Sequence, residues 1–142
     1  MKYYLNALKN YTVFTGRATR QDYWMFVLFN VIFAIAAMII DRILGTTFTF
    51  SSYNGPVSFP YGYVYCLYAL FAFLPGLAIA VRRLHDVGKS GWFILIALIP
   101  FIGWIWILVL FCTAGTPGEN EYGPNPDSTG TSRQFINTSD NL

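Results

Sequence analysis

The run from Trp92 to Cys112, WFILIALIPFIGWIWILVLFC, holds 21 residues without a charge. As a helix rising 1.5 Å per residue it would extend about 31 Å, close to the roughly 30 Å of a bilayer's hydrocarbon core. A soluble helix of that length carries a polar stripe, and this one has none. Trp24 to Ile40 forms a second such run, broken only by Asn30, and Tyr63 to Val81 a third, with Pro75 and Gly76 inside it. At 55% hydrophobic and 11% charged residues, the chain also lies outside soluble composition. These features predict an all-α integral membrane protein with three transmembrane helices, crossing at about 24–43, 63–84 and 91–112. Ala34-Ile35-Ala36 has the form of a signal-cleavage site, but Ala37 to Ile40 continue the apolar run past it, so the first segment is read as retained.

Charge sets the expected orientation. Lys2, Lys9, Arg17 and Arg20 precede the first run, and Arg82, Arg83 and Lys89 separate the other two. Basic residues beside crossings resist translocation, which puts both segments in the cytoplasm. Gly45 to Gly62 is uncharged, and the tail beyond Cys112 is acidic. An odd number of crossings then predicts a cytoplasmic N-terminus and a periplasmic or extracellular C-terminus. Tyr61, Tyr63, Tyr65 and Tyr68, together with Trp24 and Trp92, stand where rings rest at headgroup level.

Ahead of the first crossing, Lys2, Asn6, Lys9 and Asn10 share one arc of a helical wheel, while Tyr4, Leu5, Ala7, Leu8 and Tyr11 occupy the other. An N-terminal amphipathic helix follows, ending near Gly16, either interfacial on the inner leaflet or docked on the protein's own crossings. Asn30, Ala34, Ala37 and Asp41 form one stripe, and Ala69, Ala72, Gly76 and Ala80 a small-residue row; the two are expected to face each other. Asn30 should therefore point inward, as interhelical glue or as part of a polar path. Pro75 and Pro100 are expected to kink their helices. Thr47 to Phe50 alternate briefly before the turn signal Asn54-Gly55-Pro56, predicting a short ordered outer cap. From Asp127 to Leu142 the composition predicts a disordered tail.

The segment RRLHDVGKSGW, Arg82 to Trp92, invites a chemical reading. Gly88-Lys89-Ser90 resembles the end of a phosphate loop, but Arg83 stands where the motif needs glycine and no buried strand precedes it. One histidine offers no metal-ligand spacing and no nucleophile–base set, so neither catalytic residues nor a metal or other cofactor are expected. Helix-end chemistry accounts for the segment more simply. Gly88 closes the second crossing, Ser90 caps the third, and Arg82 can pair with Asp86 four residues on. Cys66 and Cys112 are expected near the outer ends as free thiols. Asn137-Thr138-Ser139 fits a glycosylation acceptor formally.

Four blocks in order carry a family resemblance: FTGRATRQDYW (Phe14 to Trp24), RRLHDVGKSGW (Arg82 to Trp92), IPFIG (Ile99 to Gly103) and GTPGENEYGPNP (Gly115 to Pro126). They resemble the signature blocks of the domain of unknown function 805 (DUF805) family of small bacterial inner-membrane proteins, over residues 1–126. The resemblance implies an inner-membrane location and a few helices, and no reaction or substrate. It also suggests a cluster at one membrane face of Arg17, Arg20, Asp22, Arg82, Arg83, His85 and Asp86, with Arg17 or Arg20 pairing to Asp86 and Asp22 to Arg82 or Arg83. The Gly115 block is expected on the opposite face. The expected partners are anionic lipid headgroups, a membrane-protein partner or further copies of the chain, and not nucleic acid. The alternatives are an oligomeric transporter or channel component using Asn30, and a membrane-embedded enzyme acting on lipid headgroups with His85 and Asp86 as acid and base.

Overall fold

The computed structural model describes residues 2–127. The expected tail from Asp127 onward and the Asn137 acceptor therefore lie, but for Asp127 itself, outside the described residues. Two helices are long and apolar enough to cross a membrane: α2 (Arg20–Leu44) and α3 (Tyr63–Asp86), packed against each other. A capping box starts α2. Thr19 Oγ1 accepts from Asp22 N at 3.0 Å, and the Asp22 carboxylate takes the Thr19 amide at 3.2 Å. Gly45, at φ +69°, ends it in the left-handed conformation. Helix α3 runs unbroken through Pro75 and closes with two reverse bonds, Gly88 N to His85 O at 3.0 Å and Lys89 N to Leu84 O at 2.9 Å. Gly88, at φ +69°, supplies the left-handed residue that this closure needs.

The all-α expectation fails between these helices. Strands β1 (Thr47–Ser52) and β2 (Gly55–Gly62) pair antiparallel around a Tyr53-Asn54 turn, so the alternation at Thr47 to Phe50 marks a β-hairpin. The hairpin is tied to the bundle through Asp41, a fully buried side chain at the far end of α2. Its carboxylate accepts from Val64 N at 3.0 Å, Tyr65 N at 2.8 Å and Thr46 Oγ1 at 2.6 Å. Asp41 thus satisfies the free amides at the start of α3, a cap supplied by another helix. Gly62 leaves the room, since a Cβ there would collide with the Asp41 carboxylate.

The N-terminal helix α1 (Lys2–Lys9) stops well short of Gly16, and its apolar side docks on the bundle. Tyr4 is buried, stacked 5.4 Å from Phe26 and tilted against Phe29 and Phe33; Ala7 is buried beside it. Between an interfacial helix and a docked one, the aromatic contacts decide for docking. The stripes on α2 and α3 do meet. Asn30, Ala34, Ala69, Ala72, Gly76 and Ala80 line one groove of about 380 Å³, where Tyr68 donates to Asn30 Oδ1 and its hydroxyl lies 3.4 Å from that of Tyr4.

The third crossing is corrected. Residues 91–112 form a 3-10 helix (Gly91–Leu98) and a short helix α4 (Ile102–Cys112) that doubles back on it. At about 2.0 and 1.5 Å per residue the two limbs reach only about 16 Å each, half a hydrocarbon core. Pro100 offers no N–H, and Phe101 sits at φ +63°, ψ −65° with Ile102 N bonded to Pro100 O at 2.8 Å, a γ-turn. Gly103 lets the limbs touch, because a Cβ there would strike the Ile96 carbonyl. Trp104 Nε1 donates to Ala97 O across the turn at 2.8 Å. Ile107 and Phe111 of the returning limb bury against Ala80 and Leu84 of α3. Trp92, Leu95 and Leu98, eclipsed at three-residue spacing, stay exposed on the outgoing limb.

Replacing Gly103 by Ala should force the limbs apart and cost about 1 to 3 kcal/mol. Thermal unfolding in detergent checks this, with Ile102→Ala, an exposed neighbour, as the control that should cost little.

Candidate functional site

The predicted polar cluster is assembled by three segments: the loop before α2, the end of α3 and the chain beyond α4. Asp86 lies at its centre with 5% of its side chain exposed. Arg17 Nε meets Asp86 Oδ1 at 3.0 Å, and Arg83 Nη1 bonds Asp86 Oδ2. Both guanidinium side chains are buried to within 1%. Two cations around one anion leave a buried charge of +1, which is costly unless further dipoles face it. Backbone carbonyls supply them. Arg17 donates to Thr116 O at 2.6 Å and Gly118 O at 2.7 Å; Arg83 donates to Phe111 O at 3.2 Å and to Thr113 O. The carbonyls of Phe111 and Thr113 end α4, where the helix dipole is negative.

The block from Gly115 to Gly123 thus lies at the Arg17 end, and its expected place on the opposite face is corrected. With the 91–112 segment doubled back, an even number of full-length helices separates Arg17 from this block. That removes the premise for a C-terminal side opposite the N-terminal one. Thr116 N bonds Asp86 O at 2.8 Å, and Asn120 Nδ2 bonds His85 O at 3.0 Å. Along with Ala18 N on Arg82 O at 3.1 Å, they satisfy the last carbonyls of α3. Gly115 is needed because a Cβ would run into the Asp86 carboxylate. His85 is buried, with Nδ1 3.2 Å from Gly16 O and its ring stacked on Tyr122, centroids 3.9 Å apart. Burial raises the Tyr122 phenol above its ordinary pKa, and Glu121 adds in the same direction.

Of the pairings expected around this cluster, Arg17 with Asp86 is present. Asp22 pairs with neither Arg82 nor Arg83, because the capping box at Thr19 occupies it. The i, i+3 pair Arg83–Asp86 replaces Arg82–Asp86, and Arg82 Nε turns back to Ala78 O at 3.4 Å. Arg20 is exposed, with Nη1 3.5 Å from Cys112 O. That contact places Cys112 at the Arg20 end, away from Cys66 in the first turn of α3; both thiols are free and exposed. Ser90 caps the following helix as expected, accepting from Trp92 N at 3.4 Å. Sequence reasoning missed Thr116, Asn120 and Tyr122 as partners of the cluster and Asp41 as a cap. Among the described residues no three His, Cys, Asp or Glu gather into a metal-holding group.

Removing the central carboxylate with Asp86→Ala leaves two buried guanidiniums facing each other, and should cost about 3 to 5 kcal/mol of stability. Arg17→Ala should release the C-terminal block while the bundle holds. Cleavage by a glutamate-specific protease at Glu119 and Glu121 should then accelerate at least tenfold with little change in the melting of the membrane helices.

Comparison with known proteins agrees with the fold's membrane character. The model of the family described as "Protein of unknown function (DUF805)" matches residues 11–124. The inner membrane protein YhaH of Escherichia coli K12 is 46% identical over 126 residues, covering 89% of this chain and 97% of that protein. The inner membrane protein YhaI of the same strain is 47% identical over 126 residues, covering 89% and 96%. No solved structure matches. The segments that build the Asp86 cluster, from Arg17 to Gly123, all fall inside the matched region, and this chain belongs to the DUF805 family of inner-membrane proteins.

Proposed function

We propose that this inner-membrane protein is non-enzymatic and that its Arg17/Asp86 end lies in the cytoplasm, where Arg20 and Lys89 engage anionic lipid headgroups. The carrying observation is which charges remain outward. Arg17 and Arg83 are turned inward onto Asp86 and backbone carbonyls, and Asp22 is held by Thr19. Arg20 and Lys89 stay exposed, each close in sequence to an exposed tryptophan, Trp24 or Trp92. A basic group with an indole nearby is the pattern that settles at headgroup level, where each basic residue contributes about 1 kcal/mol. The non-enzymatic reading is supported by His85 Nδ1 and the Asp86 carboxylate, which are committed to Gly16, Arg17 and Arg83.

Orientation follows from the positive-inside rule applied to this fold. Arg17, Arg20, Arg82, Arg83 and Lys89 collect at one end, whereas Arg42 is the sole Lys or Arg between Arg20 and Arg82. The 91–112 hairpin then dips into the cytoplasmic leaflet and returns, bringing the Gly115 block back to the cytoplasm. A second reading rests on the groove at Asn30: copies could assemble around it to pass a polar solute. Solute flux lost on Asn30→Leu with assembly intact would favour that reading.

Two measurements test the first reading. With Cys66 and Cys112 replaced by Ser, Tyr53→Cys should react with an impermeant maleimide in intact cells, and Glu121→Cys only after permeabilisation; the reverse pattern sinks the topology. Purified protein should copurify with phosphatidylglycerol. Arg20→Gln with Lys89→Gln should lower that retention about fivefold or more, with the melting temperature unchanged.

A further inference from the structure

At the other end of α2 stands one guanidinium that the cytoplasmic reading leaves unused. Arg42 lies 22 positions after Arg20, about 33 Å along the helix axis, which puts it at the opposite membrane interface. Ile39, Ile40, Ile43 and Leu44 around it are exposed, as a lipid-facing helix end requires. Neighbouring Asp41 cannot neutralise it, since that carboxylate is buried and taken by Thr46, Val64 and Tyr65. Among the described residues Arg42 makes no ion pair or hydrogen bond that would compensate its charge.

The β-hairpin builds a recess beside it. Thr47 pairs with Gly62 but Thr49 pairs with Ser58, so the single residue Phe48 on β1 stands opposite three residues of β2, Phe59 to Tyr61, and the ladder is interrupted. Beside this irregular arc, where Pro60 contributes no N–H, lies an open pocket of about 270 Å³ lined by Arg42, Thr47, Ser58, Phe59 and Pro60. A guanidinium with two hydroxyls around a recess of that size matches a tetrahedral oxyanion: the guanidinium binds two oxygens in its fork and the hydroxyls donate to the others. Phe59 in the lining, with exposed Ile43 and Leu44 following Arg42 on the helix, offers apolar surface for the acyl side of a lipid.

We propose that Arg42, Thr47 and Ser58 form a phosphate site on the non-cytoplasmic face, filled by the phosphodiester of an anionic phospholipid of that leaflet. This site is separate from the one proposed at Arg20 and Lys89, and only its assignment to the non-cytoplasmic face rests on the orientation of that reading. The test uses the full chain in detergent, examined by native mass spectrometry with added phosphatidylglycerol, phosphatidylcholine or inorganic phosphate. Arg20→Gln with Lys89→Gln serves as background, so that the cytoplasmic contacts do not contribute.

On that background phosphatidylglycerol should still be retained. Adding Arg42→Gln should lower its retention about five- to tenfold, with Arg42→Lys intermediate. Thr47→Val with Ser58→Ala, which leaves the charge in place, should lower it about two- to fivefold and covers the case in which Arg42→Gln fails to fold. Loss of phosphatidylcholine in parallel would assign recognition to the phosphate rather than to net lipid charge. Arg42-dependent binding of inorganic phosphate without phospholipid retention would keep the oxyanion site and overturn its lipid source. Retention on this background that is indifferent to Arg42, Thr47 and Ser58 overturns the site altogether, and leaves the cytoplasmic reading to stand or fall on Arg20 and Lys89.

Discussion

A carboxylate between two buried guanidiniums carries one positive charge more than it can balance, and the dispersal of that excess organises the Arg17/Asp86 end of this fold. Arg17 comes from the loop before α2, Arg83 and Asp86 from the end of α3, and the compensating carbonyls from the end of α4 and the chain beyond it. No two of these segments could hold the cluster alone. A pair of Arg83 and Asp86 on one helix turn would sit exposed and contribute a few tenths of a kcal/mol. Once Arg17 and the Gly115 block close over it, the same carboxylate becomes a junction whose loss is strongly destabilising. The net charge is tolerated because the acceptors are backbone carbonyls, two of them at a helix end already biased negative.

Helix α3 shows the same economy at both ends. Four amides at its start and four carbonyls at its finish lack partners within the helix, and near a membrane water is a poor substitute. Asp41 of α2 takes two of the amides, while Ala18, Thr116 and Asn120 take carbonyls at the finish. The chain therefore fastens α3 by its ends to α2 and to the C-terminal block, leaving the middle to small residues and one amide–phenol bond between Asn30 and Tyr68. Position along α3 is thus set by polar contacts, and the apolar length sets only that it spans.

Those ends mark the boundary of what the sequence reveals. Spanning runs at α2 and α3 are legible because hydropathy and length are local properties. The closure at Gly88, the cap at Ser90 and the Arg17–Asp86 pairing follow from short-range patterns or from matching the blocks. The folded-back segment was hidden because 21 uncharged residues satisfy the length criterion for one crossing as well as for two half-crossings. What distinguishes the cases is a γ-turn at Phe101, and phenylalanine at positive φ is a conformation no sequence rule expects. IPFIG carried a trace of it: Pro100 without a donor, and Gly103 where the Ile96 carbonyl approaches. Counted as a crossing, the run also sends the Gly115 block to the opposite end, so both differences between sequence and structure trace to this one turn. Asp41 was placed on the correct stripe, but a cap donated from another helix leaves no signature at fixed spacing.

A hairpin of half-depth also explains why the cluster needs the C-terminal block. If residues 91–112 crossed fully, the chain would leave Arg83 behind, and its guanidinium would lose the carbonyls of Phe111 and Thr113. Returning after about 16 Å delivers those carbonyls to the level from which the segment departed. A turn at mid-bilayer would carry backbone groups into hydrocarbon, where each unsatisfied one costs several kcal/mol, and the tight bonding around this turn limits that exposure. Ile102 N goes to Pro100 O, Gly103 N to Ile99 O, and the Trp104 indole to Ala97 O. The strain at Phe101, about 1 to 3 kcal/mol, is smaller than the several kcal/mol at stake when Arg83 is left buried without its acceptors. The balance between a strained turn and a satisfied charge therefore favours the doubled-back path, and the basic end of α3 selects the conformation of the apolar segment that follows it.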